Sequence, residues 1–276
     1  MTSTVTASDN YILGHDEQAL ERLIRQSDYW AEDTRAFLQR AGLQPGMRVL
    51  DLGSGAGDVA LLAAALVGPR GSVVSVDRAP EAVERATQRA AQLNVANVQF
   101  VQADINAFEP EGMFDAVIGR LVLLYLPDPA AVLRRLAASV TPNGIIAMQD
   151  FDMQAALSEP PCPTFERGMD WIRGSFTHAQ IPIRVGLYLH AIYLAAGLPA
   201  PQMVLNGRVE GAADSPGPAY LAATVRNLLP LIEKSGLATR NEIDIDTLAD
   251  RIRAEMLRQH SVIMPPSLIG AWVQLP

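Results

Sequence analysis

Three glycines at every second position, Gly53, Gly55 and Gly57, lie between an acid, Asp51, and an apolar run that begins after Asp58. Glycine has no Cβ, so a backbone built from it can pass close under a ligand. Glycine turns between a strand and a helix serve dinucleotides, nucleoside triphosphates and nucleoside sulfonium compounds alike. A dinucleotide turn has glycine at its first, third and sixth positions, and a triphosphate loop ends in lysine followed by serine or threonine. Here the sixth position is Asp58, and no such lysine is present. An acid at the start of the helix repels phosphate. It does not repel a ligand that carries a cationic sulfur and an ammonium group. Two further acids, Asp77 and Asp104, close the apolar runs "SVVSVD" and "VQFVQAD".

The remaining chemistry-bearing residues are scattered. The histidines, His15, His178, His190 and His260, show no ligand spacing with one another or with the single cysteine, Cys162, so no metal site is expected. No G-x-S-x-G nucleophile motif occurs. His190, inside "VGLYLHAIYL", reads as a packed helix residue. His178 is the first candidate for a general base, with Asp150 and Asp152 as rivals at the end of a strand. Trp171, Phe176, Arg173 and Arg184 are candidates for lining an acceptor pocket, although aromatics at helical spacing also serve packing.

The elements that must hold these residues follow from periodicity. Residues 16–41 carry apolar side chains at helical spacing and end in "AGLQPG". From Met47 strands and helices alternate: "RVLDLG", "DVALLAAALVG", "SVVSVD", "PEAVERATQRAAQL", "VQFVQAD", "FDAVIGR", "DPAAVLRRLAASV" and "GIIAMQD". Alternation at this interval predicts parallel strands with crossover helices, whose ligands bind beyond the carboxyl ends of the strands. After Phe151 the alternation stops. Helices are expected around 165–176, over "VGLYLHAIYLAAGL", and over 219–234 and 247–260, with Pro230 interrupting the third. "QMVLNGRVE" and "SLIGAWVQL" read as two last strands. With 49% apolar residues the chain can bury a large core, and its net charge of −8 argues against nucleic acid as a partner. No run approaches a membrane span, and the start lacks a signal pattern, so a cytoplasmic protein is expected, with a homodimer compatible with the sequence.

The ordered set of motifs resembles the class I S-adenosylmethionine-dependent methyltransferases. "VLDLGSGAGDVA" is similar to their first motif, "VVSVDRAPEAVERA" to the second strand with its terminal acid, "VQFVQADINAF" to the third strand, and "FDAVIGRLVLLYLPDPAAVLRRLAASVTPNGIIAMQDF" to the fourth strand, helix and fifth strand. "YILGHDEQALERLIRQ" is similar to the leading helix of a bacterial small-molecule subgroup. The resemblance implies a doubly wound Rossmann-like α/β fold: a seven-stranded, mostly parallel sheet with a C-terminal antiparallel hairpin and a helical cap. It implies S-adenosylmethionine as cofactor and a small, largely apolar acceptor. Asp51 would orient the methionine ammonium, and Gly53, Ser54 and Gly55 would pass under the ligand. Asp77 would accept from the ribose hydroxyls, a geometry that also serves NAD. Arg78 would flank the adenine, Asp104 would accept from its amino group, and Ile105 would wall it. Arg120 would follow the strand that meets the methionine part, and Tyr11 and Gln26 would cover the cofactor. Each of these positions also has a plain packing or solvated alternative. The expected organisation is an N-terminal helical lid (1–45), a cofactor-binding core (46–154), a cap insertion (155–185), a core helix and strand (186–215), a helical cap insertion (216–262) and a final core strand (263–276).

Overall fold

The computed structural model describes residues 17–276, with side chains described from Tyr29 onward. Tyr11 lies outside the described residues, as does the side chain of Gln26. The chain forms two compact units, whose described parts are residues 17–150, 185–206 and 268–276 on one side, and 151–184 and 207–267 on the other.

The first of these, the sheet unit, begins with α1 (Glu17–Ala41). Then alternate β1 (Arg48–Leu52), α2 (Asp58–Val67), β2 (Ser72–Asp77), α3 (Pro80–Gln92), β3 (Val98–Gln102), β4 (Phe114–Arg120), α4 (Pro129–Ala137) and β5 (Val140–Asp152). The unit is completed by α6 (Val185–Ala195), β7 (Gln202–Asn206) and β9 (Ser267–Gln274). The seven strands run in the order β3-β2-β1-β4-β5-β9-β7. β3, β2, β1, β4 and β5 pair in parallel, and β7 pairs antiparallel with β9. The predicted doubly wound sheet with an antiparallel C-terminal pair is therefore the observed fold. β1 lies inside the sheet, between β2 and β4, and is buried along four of its five residues, which is why its sequence is an apolar run rather than an alternation. Helix starts carry their own signals. Asp128 accepts the Ala131 N–H at 2.9 Å, and Pro80 and Pro129 occupy first turns, where no amide donor is needed.

One face of this sheet carries a hydrophobic core. Val73, Val49, Ala116, Ile118, Ile145 and Ala147 pack there with Phe37 and Leu38 of α1 and with Val59, Ala60, Ala63 and Val67 of α2. Phe37 and Trp272 meet edge to face at 5.9 Å. The Phe37 ring approaches β9 only because residue 270 is glycine: a Cβ there would lie 2.4 Å from Cε2. Gly270→Val is therefore expected to destabilise the protein by about 1–3 kcal/mol, the usual range for overpacking a filled core, read as a lower urea midpoint with unchanged slope.

The other, helical unit contains β6 (Leu157–Glu159), α5 (Pro163–His178), α7 (Gly217–Lys234), α8 (Arg240–Ile243), α9 (Leu248–Gln259) and β8 (Val262–Met264). α5, α7 and α9 pack on one another, and β6 pairs antiparallel with β8. Those two strands were not legible in the sequence, because each is three residues long. Pro230 does not interrupt α7. The helix continues through it, so Pro230 costs one backbone hydrogen bond inside an otherwise continuous element. The Glu210 carboxylate accepts the Gly217 N–H at 2.6 Å, placing an acid at the start of α7 where the helix dipole favours it. His190 departs from its expected burial: it lies on the exposed side of α6, while Val185, Leu189 and Tyr193 face inward.

Candidate functional site

The carboxyl ends of β2, β1, β4 and β5 carry polar residues in phase with the apolar core beneath them. Side chains alternate along a strand. Val73, Val49, Ile118 and Ala147 point into the α1–α2 core, so Ser75, Asp51, Arg120 and Gln149, each two residues further on, lie on that same face. Asp51 is fully buried, and its Oδ2 accepts the Ser75 hydroxyl at 2.6 Å. Its other oxygen, Oδ1, has no hydrogen-bond partner, and neither does the buried Oγ of Ser54. Burial pushes the Asp51 carboxyl up to about 7, against the lowering effects of the Ser75 hydroxyl and the nearby Arg120 charge. Arg120 in turn donates from Nη1 to Thr34 Oγ1 of α1 at 3.0 Å.

The glycine turn is held by Asp77. Its Oδ2 accepts the Gly55 N–H at 2.8 Å, and its Oδ1 accepts the Ala79 N–H at 3.0 Å. A carboxylate offers about four lone-pair positions, so each oxygen keeps acceptor capacity after these bonds. Gly53 and Gly57 have φ of 76° and 86°, where an L side chain is strained. A Cβ at Gly57 would also lie 3.0 Å from Ala86 Cβ of α3.

Asp58 is not a bare charge at the helix start. Arg89 of α3 bonds its carboxylate at 2.6 Å and also donates to the Ala56 carbonyl. The ion pair weakens the sequence argument that Asp58 repels phosphate, since the carboxylate is already compensated.

β3 stops at Gln102, short of the expected "QAD" end, and Asp104 and Ile105 lie in the turn beyond it. Asp104 is exposed, and its Oδ1 accepts both the backbone and the side-chain N–H of Asn106 at 2.9 Å. Ile105 is buried, and the backbone of this turn is clasped by Arg135 of α4, which donates to the carbonyls of Ile105 and Phe108. Arg78 is exposed beside Asp77.

The sheet unit thus brings together Asp51, Gly53, Ser54, Gly55, Asp77, Arg120 and the turn of Asp104 and Ile105. Asp150 belongs to the same unit but alternates to the opposite face. It is buried and accepts the Leu124 N–H at 3.3 Å. His178, Trp171, Phe176 and Arg184 belong to the helical unit. His178 is the exposed last residue of α5, and Trp171 and Phe176 are buried in it. Arg184 donates to Asp152 at 3.3 Å, and Arg173 bonds Asp170 at 2.7 Å. Among the described residues no group of three or more His, Cys, Asp or Glu is placed to hold a metal ion, and no helix is long and apolar enough to cross a membrane. Sequence reasoning missed three residues: Arg89, Arg135 and Gln149. Only Gln149 gave a signal, being polar in phase with Ile145 and Ala147 on a buried strand.

These donors and acceptors fit an adenosyl sulfonium ligand. Orphaned acceptors on Asp51 and Ser54 await a donor, an acid with spare lone pairs stands at the end of β2, and the intervening backbone is glycine. The family model for the methyltransferase domain matches residues 43–197, more than half of the chain. The chain belongs to this family, as a class I S-adenosylmethionine-dependent methyltransferase by fold and sequence, and its cofactor is S-adenosylmethionine. It is 35% identical over 147 residues to the arsenite methyltransferase of Halobacterium salinarum, covering 52% of this chain and 37% of that protein. It is 31% identical over 201 residues to the nocamycin O-methyltransferase of Saccharothrix syringae, covering 71% and 65%. The curated relatives are spanned over 37% to 65% of their own length. The crystal structure of the [4+2]-cyclase SpnF shares the fold at TM-score 0.50 and 16% identity, covering 89% of this chain and 82% of that one.

Proposed function

We propose that the chain transfers a methyl group from S-adenosylmethionine to oxygen or carbon of a small, largely apolar metabolite. The observation that carries this reading is the buried pair of unpartnered oxygens, Asp51 Oδ1 and Ser54 Oγ, beside the Asp77-braced glycine turn. Asp51 would hold the ammonium, Asp77 the ribose hydroxyls, and the turn of Asp104 and Ile105 the adenine. The cofactor supplies a methyl group on a cationic sulfur that departs as a neutral thioether. The protein's work is then orientation and exclusion of water. Where the acceptor is a hydroxyl, a base takes its proton. His178 and Asp150 are the candidates, and Trp171, Phe176 and Arg184 of the helical unit are the candidates for acceptor selectivity. The acidic balance of the chain supports a small, largely apolar acceptor, and the nocamycin O-methyltransferase among its relatives supports oxygen as the methylated atom.

The test is ligand-dependent melting. S-adenosylmethionine and S-adenosylhomocysteine are expected to stabilise the protein by about 2.7 kcal/mol at a hundredfold excess over Kd, and NAD by nothing measurable. Equal protection by NAD would overturn the cofactor assignment. A second reading is cofactor binding without methyl transfer: a protein named as a [4+2]-cyclase has the same fold, so the fold by itself does not decide for transfer. Release of S-adenosylhomocysteine on incubation with a metabolite extract separates the two.

A further inference from the structure

Gln149 near the end of β5 is 2% exposed, and neither its Oε1 nor its Nε2 has a hydrogen-bond partner. A buried primary amide with both ends unsatisfied is costly, and folded proteins retain such a group rarely. Its neighbours say what would satisfy it. Gln149 pairs in register with Arg120 on β4, and both lie on the sheet face that carries Asp51 and Ser75. Read across β2, β1, β4 and β5, that face presents the carboxylate of Asp77, the buried carboxyl of Asp51, the guanidinium of Arg120 and then the amide of Gln149. Adjacent strands are about 4.8 Å apart, so this row spans the length of a nucleoside with a short side chain.

With the adenine at the turn after β3 and the ribose on Asp77, as proposed above, a substituent on the 5′ carbon would run toward β1 and β4. The sequence acid, base, amide is complementary to a zwitterion, whose ammonium meets the acid and whose carboxylate meets the guanidinium and the amide N–H. We propose that Gln149 binds the α-amino acid end of the cofactor, donating from Nε2 to its carboxylate beside Arg120. This rests on the assignment of S-adenosylmethionine as cofactor.

The test compares two nucleosides that differ at that end. S-adenosylhomocysteine carries the amino acid, and 5′-methylthioadenosine ends in a methyl group. Titration calorimetry of the wild type is expected to show tighter binding of S-adenosylhomocysteine. In Gln149→Leu that ligand should weaken at least tenfold, while 5′-methylthioadenosine changes by less than twofold. The unliganded variant should melt no lower than the wild type, because the substitution removes an unpaired polar group. Should the leucine variant fold poorly, Gln149→Glu reads the same ratio, with the added acid opposing the carboxylate. Equal weakening of both ligands, or no weakening of either, overturns the proposal. Failure of the wild type to bind either nucleoside would instead overturn the cofactor assignment beneath it.

Discussion

Replacing Asp77 by alanine is expected to weaken S-adenosylhomocysteine binding about a hundredfold, and to lower the stability of the unliganded protein as well. The two losses have separate causes. In the unliganded structure the carboxylate holds the glycine turn through the Gly55 and Ala79 N–H groups. Hydrogen bonds to a charged acceptor contribute about 1.5–3 kcal/mol each. In the proposed function the remaining lone pairs would accept from the two ribose hydroxyls. Loss of about 2.7 kcal/mol there corresponds to the hundredfold change in Kd. Asp77→Asn keeps the shape and one acceptor oxygen, so it should fall between wild type and alanine in both measurements. Calorimetric affinity within threefold of wild type in the alanine variant would place the ribose elsewhere. A variant that lost stability but kept affinity would make Asp77 a brace for the turn alone.

The parallel half of the fold was legible because its signals are local and repeated. β1, β2 and β4 are short, mostly apolar runs, each helix from α1 to α4 opens on a proline or an acid, and the strand–helix interval signals crossover connections. The antiparallel pair β7 and β9 was readable as strands, but 60 intervening residues carry no local sign that the two would pair. Short elements such as β6 and β8 depend on partners distant in sequence, and no periodicity fits in three residues. Within the site, Asp51, the glycines and Asp77 were legible because chemistry and position coincide. The turn after β3 was placed one step too far along the strand. Its end is set by the Asn106-to-Asp104 hydrogen bonds, and an Asp-x-Asn step reads as easily as strand as it does as turn. Arg89 and Arg135 were illegible for another reason. Each sits on an amphipathic helix as an ordinary cation, and only the folded chain brings it to Asp58 or to the 105–108 turn.

Asp51 should make both stability and cofactor affinity depend on pH, in opposite directions. Its carboxyl lies at about 7 in the folded protein, because burial disfavours the anion, against an ordinary 3.8 in the unfolded chain. Between these values the folded state holds a proton that the unfolded state has released. Stability of the unliganded protein is therefore greatest below the lower value, falls as pH rises toward 7, and flattens above it. At about 1.4 kcal/mol per unit the full fall is about 4 kcal/mol as an upper bound. A ligand ammonium reverses the preference, since it pairs with the ionised acid at Oδ1. Affinity for S-adenosylhomocysteine is then expected to rise roughly twentyfold between pH 5.5 and 7.5, with the gain levelling off once Asp51 is ionised. For 5′-methylthioadenosine, which has no ammonium, the profile should be flat. Asp51→Asn should abolish the slope in both stability and affinity while leaving the shape of the site intact. Urea titrations and calorimetry at four pH values give both curves. A flat affinity profile in the wild type, or an Asp51→Asn variant that binds S-adenosylhomocysteine as tightly as wild type at pH 7.5, would detach Asp51 from the ammonium.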